Sequence, residues 1–162
     1  MKISIGTKIK KNQAWGGGNN FAINLSKFLK KKGFKIYYDL KCNDLDFILI
    51  TDPRKKSQSS SFDDLDVKNY LKNINNKTIV IHRLNECDER KNTNYLNKEL
   101  LNANKIADFT VYISNWLKKS LIASGFSKKN NVVILNGANR SLFKFSKNNW
   151  KKGKLKIVTH HW

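Results

Sequence analysis

The stretch DFTVYISNWLKKSLIASG, residues 108–125, contains the unit from which we predict the fold. DFTVYI (108–113) is apolar and β-branched, as are strands that lie inside a parallel sheet. Ser114 then supplies an N-cap for a helix, and Gly125 supplies a stop. The stretch therefore predicts one strand that is followed closely by one helix.

The same unit recurs along the chain. Between the predicted strands, apolar residues recur at helical spacing after the glycine-rich segment, over 63–75, over 94–107 and after Ser114. This alternation predicts an α/β fold with a doubly wound parallel sheet of about six to seven strands and flanking helices. The six predicted strands within the first 137 residues are KISIG (2–6), FKIYYDL (34–40), DFILIT (46–51), TIVIH (78–82), DFTVYI (108–113) and VVIL (132–135).

Composition divides the chain into three parts. Residues 1–137 form the predicted α/β domain, and the basic segment 138–154 is interpreted as an interdomain linker. Residues 155–162, LKIVTHHW, have the pattern of another buried strand with no helix after it. We interpret them as the first strand of a second domain that is missing from this sequence.

Charge is the most unusual property of the composition. The net charge is +20, and nearly all of the positive charge is lysine. Lysine and asparagine share A/T-rich codons, so drift in base composition explains much of the excess. The alternative is a non-enzymatic basic α/β module that binds nucleic acid or anionic membrane. Arginine, which reads base edges, is scarce, so we expect no specific nucleic acid partner.

Other compositional signals point to a cytoplasmic protein, with peripheral contact at the inner face of a membrane as a further expectation. No apolar run approaches the ~20 residues that cross a bilayer. Cys42 and Cys87 form no CxxC pair and suggest no disulfide framework.

The segment WGGGNNF (15–21) joins the first predicted strand to the first helix. In open α/β sheets ligands bind beyond the carboxyl ends of the strands, and free N–H groups at a helix start favour phosphate. The sequence of this segment matches neither the GxGxxG motif nor the GK[ST] motif of a P-loop, so a standard dinucleotide-binding or Walker site is excluded. We predict a loop that lets an anionic ligand approach bare backbone.

Two residues at the predicted end of the fourth strand are candidates for the same crevice. His82 is predicted to face it, and Arg83 to pair either with an anionic ligand or with Asp88 or Glu89. Two DxD triplets, at 44–46 and 64–66, have the form of a diphosphate-bound metal site. We favour the interpretation that these acids mark a strand start and a helix start, and we predict no metal.

Several stretches together resemble a known family. After the glycine-rich loop and the strand ending in histidine come IADFTVYISNWLKKSLIASGF and VVILNGANRSLF, and then KLKIVTHHW. They are similar to the N-terminal, acceptor-side domain of GT-B-fold, retaining glycosyltransferases of the large nucleotide-sugar-dependent class (family 4-like). The matching positions are Ala107, Asp108, Ser114, Trp116, Leu117, Leu121, Gly125, Asn136, Gly137 and Phe143.

The resemblance implies a single Rossmann-like half of an enzyme that transfers a hexosyl unit from a nucleotide-sugar to a hydroxyl of a glycan or lipid. It implies no cofactor and no required metal. The missing donor-binding half would be truncated or separately encoded, and the chain alone would be inactive, because it would hold only one wall of the cleft.

The resemblance also implies roles for individual residues. Asn139 stands where the family has aspartate. The implied roles are donor binding for Gly16, Gly17, Gly18 and Asn19, catalysis for His82, acceptor-side contacts for Trp15, Arg83 and Arg90, and an interdomain hinge for Asn136, Gly137 and Asn139.

Overall fold

The computed structural model of the chain describes residues 1–10, 16–54 and 57–137. The strands are β1 Lys2–Ile5, β2 Lys35–Tyr37, β3 Phe47–Ile50, β4 Ile79–Leu84, β5 Phe109–Tyr112 and β6 Asn131–Val133. The helices are α1 Gly17–Lys31, α2 Asp64–Asn73, α3 Asp88–Lys91, α4 Leu96–Asn104 and α5 Asn115–Ala123.

The six strands form one sheet in the order β2-β1-β3-β4-β5-β6, and every described pairing is parallel. The predicted α/β fold with a parallel sheet is therefore confirmed. The strand order changes direction at β1, so the crossovers diverge between β1 and β3. Such a switch point opens a crevice at the carboxyl ends of these two strands. The predicted linker at 138–154 and the predicted strand at 155–162 lie outside the described residues.

Helices cover both faces of the sheet. Leu49 of β3 packs in a cluster with Ala22 of α1, whereas Ile48 and Ile50 pack in a cluster with Val67 of α2. Because alternate residues of a strand point to opposite faces, α1 and α2 lie on opposite sides of the sheet. The cores of α4 and α5 join Leu84 and Tyr112, the in-register residues of β4 and β5 on the α2 side.

Local signals explain where several elements begin and end. Ser114 accepts a hydrogen bond from the Leu117 amide at 3.1 Å, so the predicted N-cap of α5 is confirmed. Gly125, with a φ of 99°, follows the end of the same helix, where a residue with a side chain is strained. The continuous apolar run of DFILIT predicts a strand that is buried on both faces. This is confirmed, since Ile48, Leu49 and Ile50 are all buried.

Three boundaries differ from the sequence prediction. Helix α1 begins at Gly17, so two of the glycines form its first turn instead of preceding it. Strand β4 continues beyond His82 to Leu84, because its parallel pairing with β5 extends to Tyr112. The short helix α3 lies in the charged segment RLNECDERKNT (83–93), for which the sequence predicts a loop.

Among residues 1–10, 16–54 and 57–137, none of the helices combines the length and apolar character needed to cross a bilayer.

Candidate functional site

A cavity of about 210 Å³ lies at the carboxyl ends of β1, β3 and β4. Its walls come from the residues that follow these strands, from the start of α1 and from one side of α4. This is the crevice that the switch in strand order predicts. The lining residues are Thr7, Gly16, Gly18, Asn19, Phe21, Thr51, Asp52, Arg54, Ser59, Arg83, Asn85, Glu86, Leu96 and Leu100.

The glycine-rich segment forms the start of α1 at this cavity. Gly16 is the N-cap residue, and its φ of 21° is one that residues with a Cβ rarely adopt. At Gly17 and Gly18 a Cβ would meet no described atom within 4 Å beyond the chain neighbours and the helix's own backbone. Packing within the described protein thus gives no reason for the absence of these two side chains. The first turn also contains no acidic residue that would compete for its N–H groups.

Asn19 has a structural function at the same helix start. Its side chain is buried, its Oδ1 accepts a hydrogen bond from the Lys10 amide at 3.0 Å, and its Nδ2 donates to the Lys10 carbonyl at 2.9 Å. The two bonds connect the loop after β1 to the first turn of α1. Asn19 therefore positions the glycine-rich segment, and its predicted contact with the donor stays a prediction.

Asp52 and Arg54 form a neutral pair on the β3 side of the cavity. Arg54 donates to the two carboxylate oxygens from Nε at 2.8 Å and from Nη2 at 2.9 Å, and Ser57 Oγ donates at 2.6 Å. Burial by itself raises the pKa of Asp52, but the bonds from Arg54 and Ser57 outweigh it, and the pKa lies below the ordinary value. Asp52 is an ionised partner of Arg54 and is poorly suited to act as a base.

Arg83 is the buried cation of the site. It is 7% exposed, its guanidinium carbon lies 3.8 Å from the centre of the Phe21 ring, and its Nη2 donates to Asn136 Oδ1 at 2.9 Å. Burial lowers the pKa of Arg83 to about 10, against a smaller opposing effect of the nearby Glu86. The side chain therefore remains charged at neutral pH.

Glu86, an acid in the loop after β4 whose charge acts on Arg83, also lies near a lysine. Its Oε2 lies 3.6 Å from Lys91 Nζ, close enough for an ion pair and too far for a hydrogen bond.

His82, the predicted catalytic residue, lies inside β4 and has no exposed surface. Its Nδ1 lies 3.3 Å from Asn104 Nδ2, and Nε2 has no hydrogen-bond partner among the described residues. Burial lowers its pKa to about 4, although the charge of Asp52 acts in the opposite direction. His82 does not line the cavity described here. Its predicted catalytic role stays a prediction.

The remaining predicted residues fall into two groups. Arg90 is exposed and donates from Nη1 to the carbonyl of Asn85, a residue of the cavity lining, at 2.8 Å, but it does not line the cavity itself. Asn136, a predicted hinge residue, accepts a hydrogen bond from Arg83, which lines the cavity. At the next residue, Gly137, a Cβ would meet no described atom within 4 Å beyond its chain neighbours. The predictions for Trp15 and Asn139 concern positions outside the described residues.

The two DxD triplets have structural partners. Asp44 pairs with the Lys2 ammonium, and Asp46 Oδ2 accepts from the Lys2 amide at 2.6 Å. Asp66 belongs to a reciprocal capping box with Asp63 at the start of α2. In the part of the chain that the structure describes, no three His, Cys, Asp or Glu side chains are grouped so that they could hold a metal ion.

Sequence reasoning missed the Asp52–Arg54 pair and the contact between Phe21 and Arg83. The signal for Asp52 was present, because Asp52-Pro53 directly follows the most apolar strand and parallel strands direct their carboxyl ends to the ligand site.

No model of a known protein family matches the chain, and no curated protein sequence matches it significantly.

Proposed function

We propose that this chain is the acceptor-side domain of a two-domain, nucleotide-sugar-dependent glycosyltransferase. The observation that supports the proposal best is the position of the cavity. It lies at the switch point of a parallel sheet, between the start of α1, where Gly17 and Gly18 carry no side chain, and the buried cation Arg83. The sequence resemblance adds the reaction class, transfer of a hexosyl unit to a hydroxyl acceptor.

The start of α1 suits the diphosphate of a nucleotide-sugar. The first N–H groups of a helix have no partner within it, and the helix dipole favours negative charge there. Without a Cβ at Gly17 or Gly18, phosphate oxygens can approach this backbone directly. Such fixed dipoles stabilise charge that develops on a leaving group without reorganising during the reaction.

In the proposed reaction, the bond between the anomeric carbon and the diphosphate oxygen breaks, and the electron pair leaves with the diphosphate. A bond forms between the anomeric carbon and the acceptor hydroxyl oxygen. The departing diphosphate takes the hydroxyl proton, so the step balances without a carboxylate base. This is consistent with the engagement of Asp52 by Arg54 and Ser57.

The test is a binding experiment on the ¹⁵N-labelled chain with a panel of nucleotide-sugars and glycan acceptors. Saturation-transfer NMR detects which members bind, and amide chemical shifts report where they bind. We expect nucleotide-sugars to shift the amides of Gly17 and Gly18, and free sugars without the diphosphate to leave them unchanged. Failure of every nucleotide-sugar to bind would contradict the proposal.

A further inference from the structure

Arg83 has a positive charge in a buried position without a negative partner of its own. Among residues 1–10, 16–54 and 57–137, it forms no ion pair with a carboxylate. A charge removed from water is unfavourable unless it is paired and hydrogen-bonded. This guanidinium thus has no negative group bound directly to it among the described residues.

Within the part of the chain that the structure describes, Arg83 makes two side-chain contacts, both with neutral groups. The Phe21 ring covers one face of the guanidinium, and Asn136 accepts a hydrogen bond from Nη2. A guanidinium has five N–H donors arranged for bidentate contact with phosphate or carboxylate. Phe21 and Asn136 therefore orient the group, and the charge of the nearby Glu86 offsets its positive charge only in part, without an ion pair among the described residues.

The neighbouring arginine shows the contrast. Arg54 also lines the cavity, but it donates to both oxygens of Asp52 and is neutralised within the protein. Glu86, the other acid of the lining, has Lys91 as its ion-pair partner. Of the two arginines that line the cavity, Arg83 is therefore the one that is available to pair with an anionic ligand.

We infer that Arg83 binds a phosphate or carboxylate group carried by the acceptor, so that the substrate class is an anionic acceptor. The inference rests on the proposed function, in which the donor diphosphate occupies the start of α1. Phe21, which holds the guanidinium, lies a full helical turn beyond Gly17. The two anions would thus have separate contact points in one cavity.

The experiment compares three probes by NMR titration of the ¹⁵N-labelled chain: a hexose 6-phosphate, a hexuronate and the neutral hexose. Each is titrated with and without saturating uridine diphosphate. We expect at least one anionic probe to bind ten times more tightly than the hexose, to shift the Arg83 side-chain N–H signals and to bind with uridine diphosphate present. The preference between phosphate and carboxylate identifies the anion.

Three variants test the assignment to Arg83. Arg83→Met should lower the affinity for the anionic probe at least tenfold, and Arg83→Lys should retain part of that affinity. Asn136→Asp places a carboxylate beside the guanidinium. It should therefore lower the affinity for the probe about tenfold while raising the melting temperature. This pairing of lost binding with gained stability separates the effect from misfolding. Lys72→Met, the same charge change at an exposed residue of α2, should leave binding unchanged.

Three results would overturn the inference: equal affinity for charged and neutral probes, full affinity in Arg83→Met, or displacement of the anionic probe by uridine diphosphate. In each case continued binding of nucleotide-sugars at Gly17 and Gly18 would leave the proposed function standing. Conversely, Arg83-dependent anion binding without any nucleotide-sugar binding would refute the proposed function and retain the anion site.

Discussion

The guanidinium carbon of Arg83, on β4, lies 3.8 Å from the centre of the Phe21 ring on α1. This contact joins the central sheet to the helix whose first turn borders the cavity. It packs a cation against an aromatic face, a geometry that is attractive by about 0.5–2 kcal/mol depending on solvent exposure. The orientation of Arg83 therefore depends on Phe21.

Replacement of Phe21 should reduce both stability and anion binding. Phe21→Leu keeps most of the apolar contact with the core around Ile3 and Ile5 but removes the aromatic face. We expect a loss of about 1 kcal/mol in the free energy of unfolding from urea denaturation. Phe28→Leu, at an exposed position of the same helix, should change it by less than about 0.5 kcal/mol. Equal effects of the two variants would contradict the contact.

Asn19 should be required for the position of the glycine-rich segment. Asn19→Ala removes both hydrogen bonds to the Lys10 backbone, which should cost about 1–3 kcal/mol in the free energy of unfolding. The matched control is Asn20→Ala, because Asn20 is the exposed neighbour in the same turn. Amide hydrogen exchange should accelerate in the first turn of α1 in Asn19→Ala alone. Unchanged exchange there would show that Asn19 does not position the segment.

The buried His82 should make stability depend on pH. Its ordinary pKa is 6.5 and its folded pKa is about 4, so between these values the unfolded chain binds the proton and the folded chain does not. Stability therefore falls as pH decreases from 6.5 to 4, and His82 makes no such contribution above 6.5. The shift corresponds to about 3 kcal/mol over the whole window.

The measurement is the difference between the stability–pH curves of the wild-type chain and His82→Gln, which cancels the carboxylates that the two proteins share. We expect the curves to converge as pH falls from 6.5 to 4. Parallel curves, or an NMR titration of His82 with a midpoint near 6.5, would show that the imidazole takes up its proton in the folded state.

The sequence predicted the fold well because its signals are local and repeated. Apolar β-branched runs such as that of β3 have few stable locations outside a parallel sheet. Ser114 and Gly125 act within a few residues of their own helix, so their roles are visible without tertiary structure. The strands run parallel to one another because short helical crossovers connect them.

The candidate site was less predictable because it depends on contacts between distant residues. Asn136 lies 53 positions from Arg83 in the chain, and only the closeness of β4 to the end of β6 brings them together. His82 lies inside β4 instead of at its end because two further residues of β4 pair with β5, which the sequence pattern did not show. Phe21 is one of the apolar residues that recur at helical spacing after the glycine-rich segment, and its contact with Arg83 carries no sequence signature.

We attribute the bare backbone at Gly18 to the approach of a ligand. A Cβ there would meet no described atom within 4 Å beyond its chain neighbours and its own helix backbone, so Gly18→Ala should stabilise the fold by up to about 1 kcal/mol through helix propensity. Asn24→Ala, at an exposed position farther along α1, is a control that changes helix propensity away from the cavity.

The decisive measurement is the affinity of a nucleotide-sugar for Gly18→Ala, Asn24→Ala and the wild-type chain, with the melting temperature of each. We expect Gly18→Ala to melt at or above the wild-type temperature but to bind the nucleotide-sugar at least tenfold more weakly, whereas Asn24→Ala should bind it normally. Unchanged nucleotide-sugar affinity in a stable Gly18→Ala protein would show that no ligand needs the bare backbone at this position.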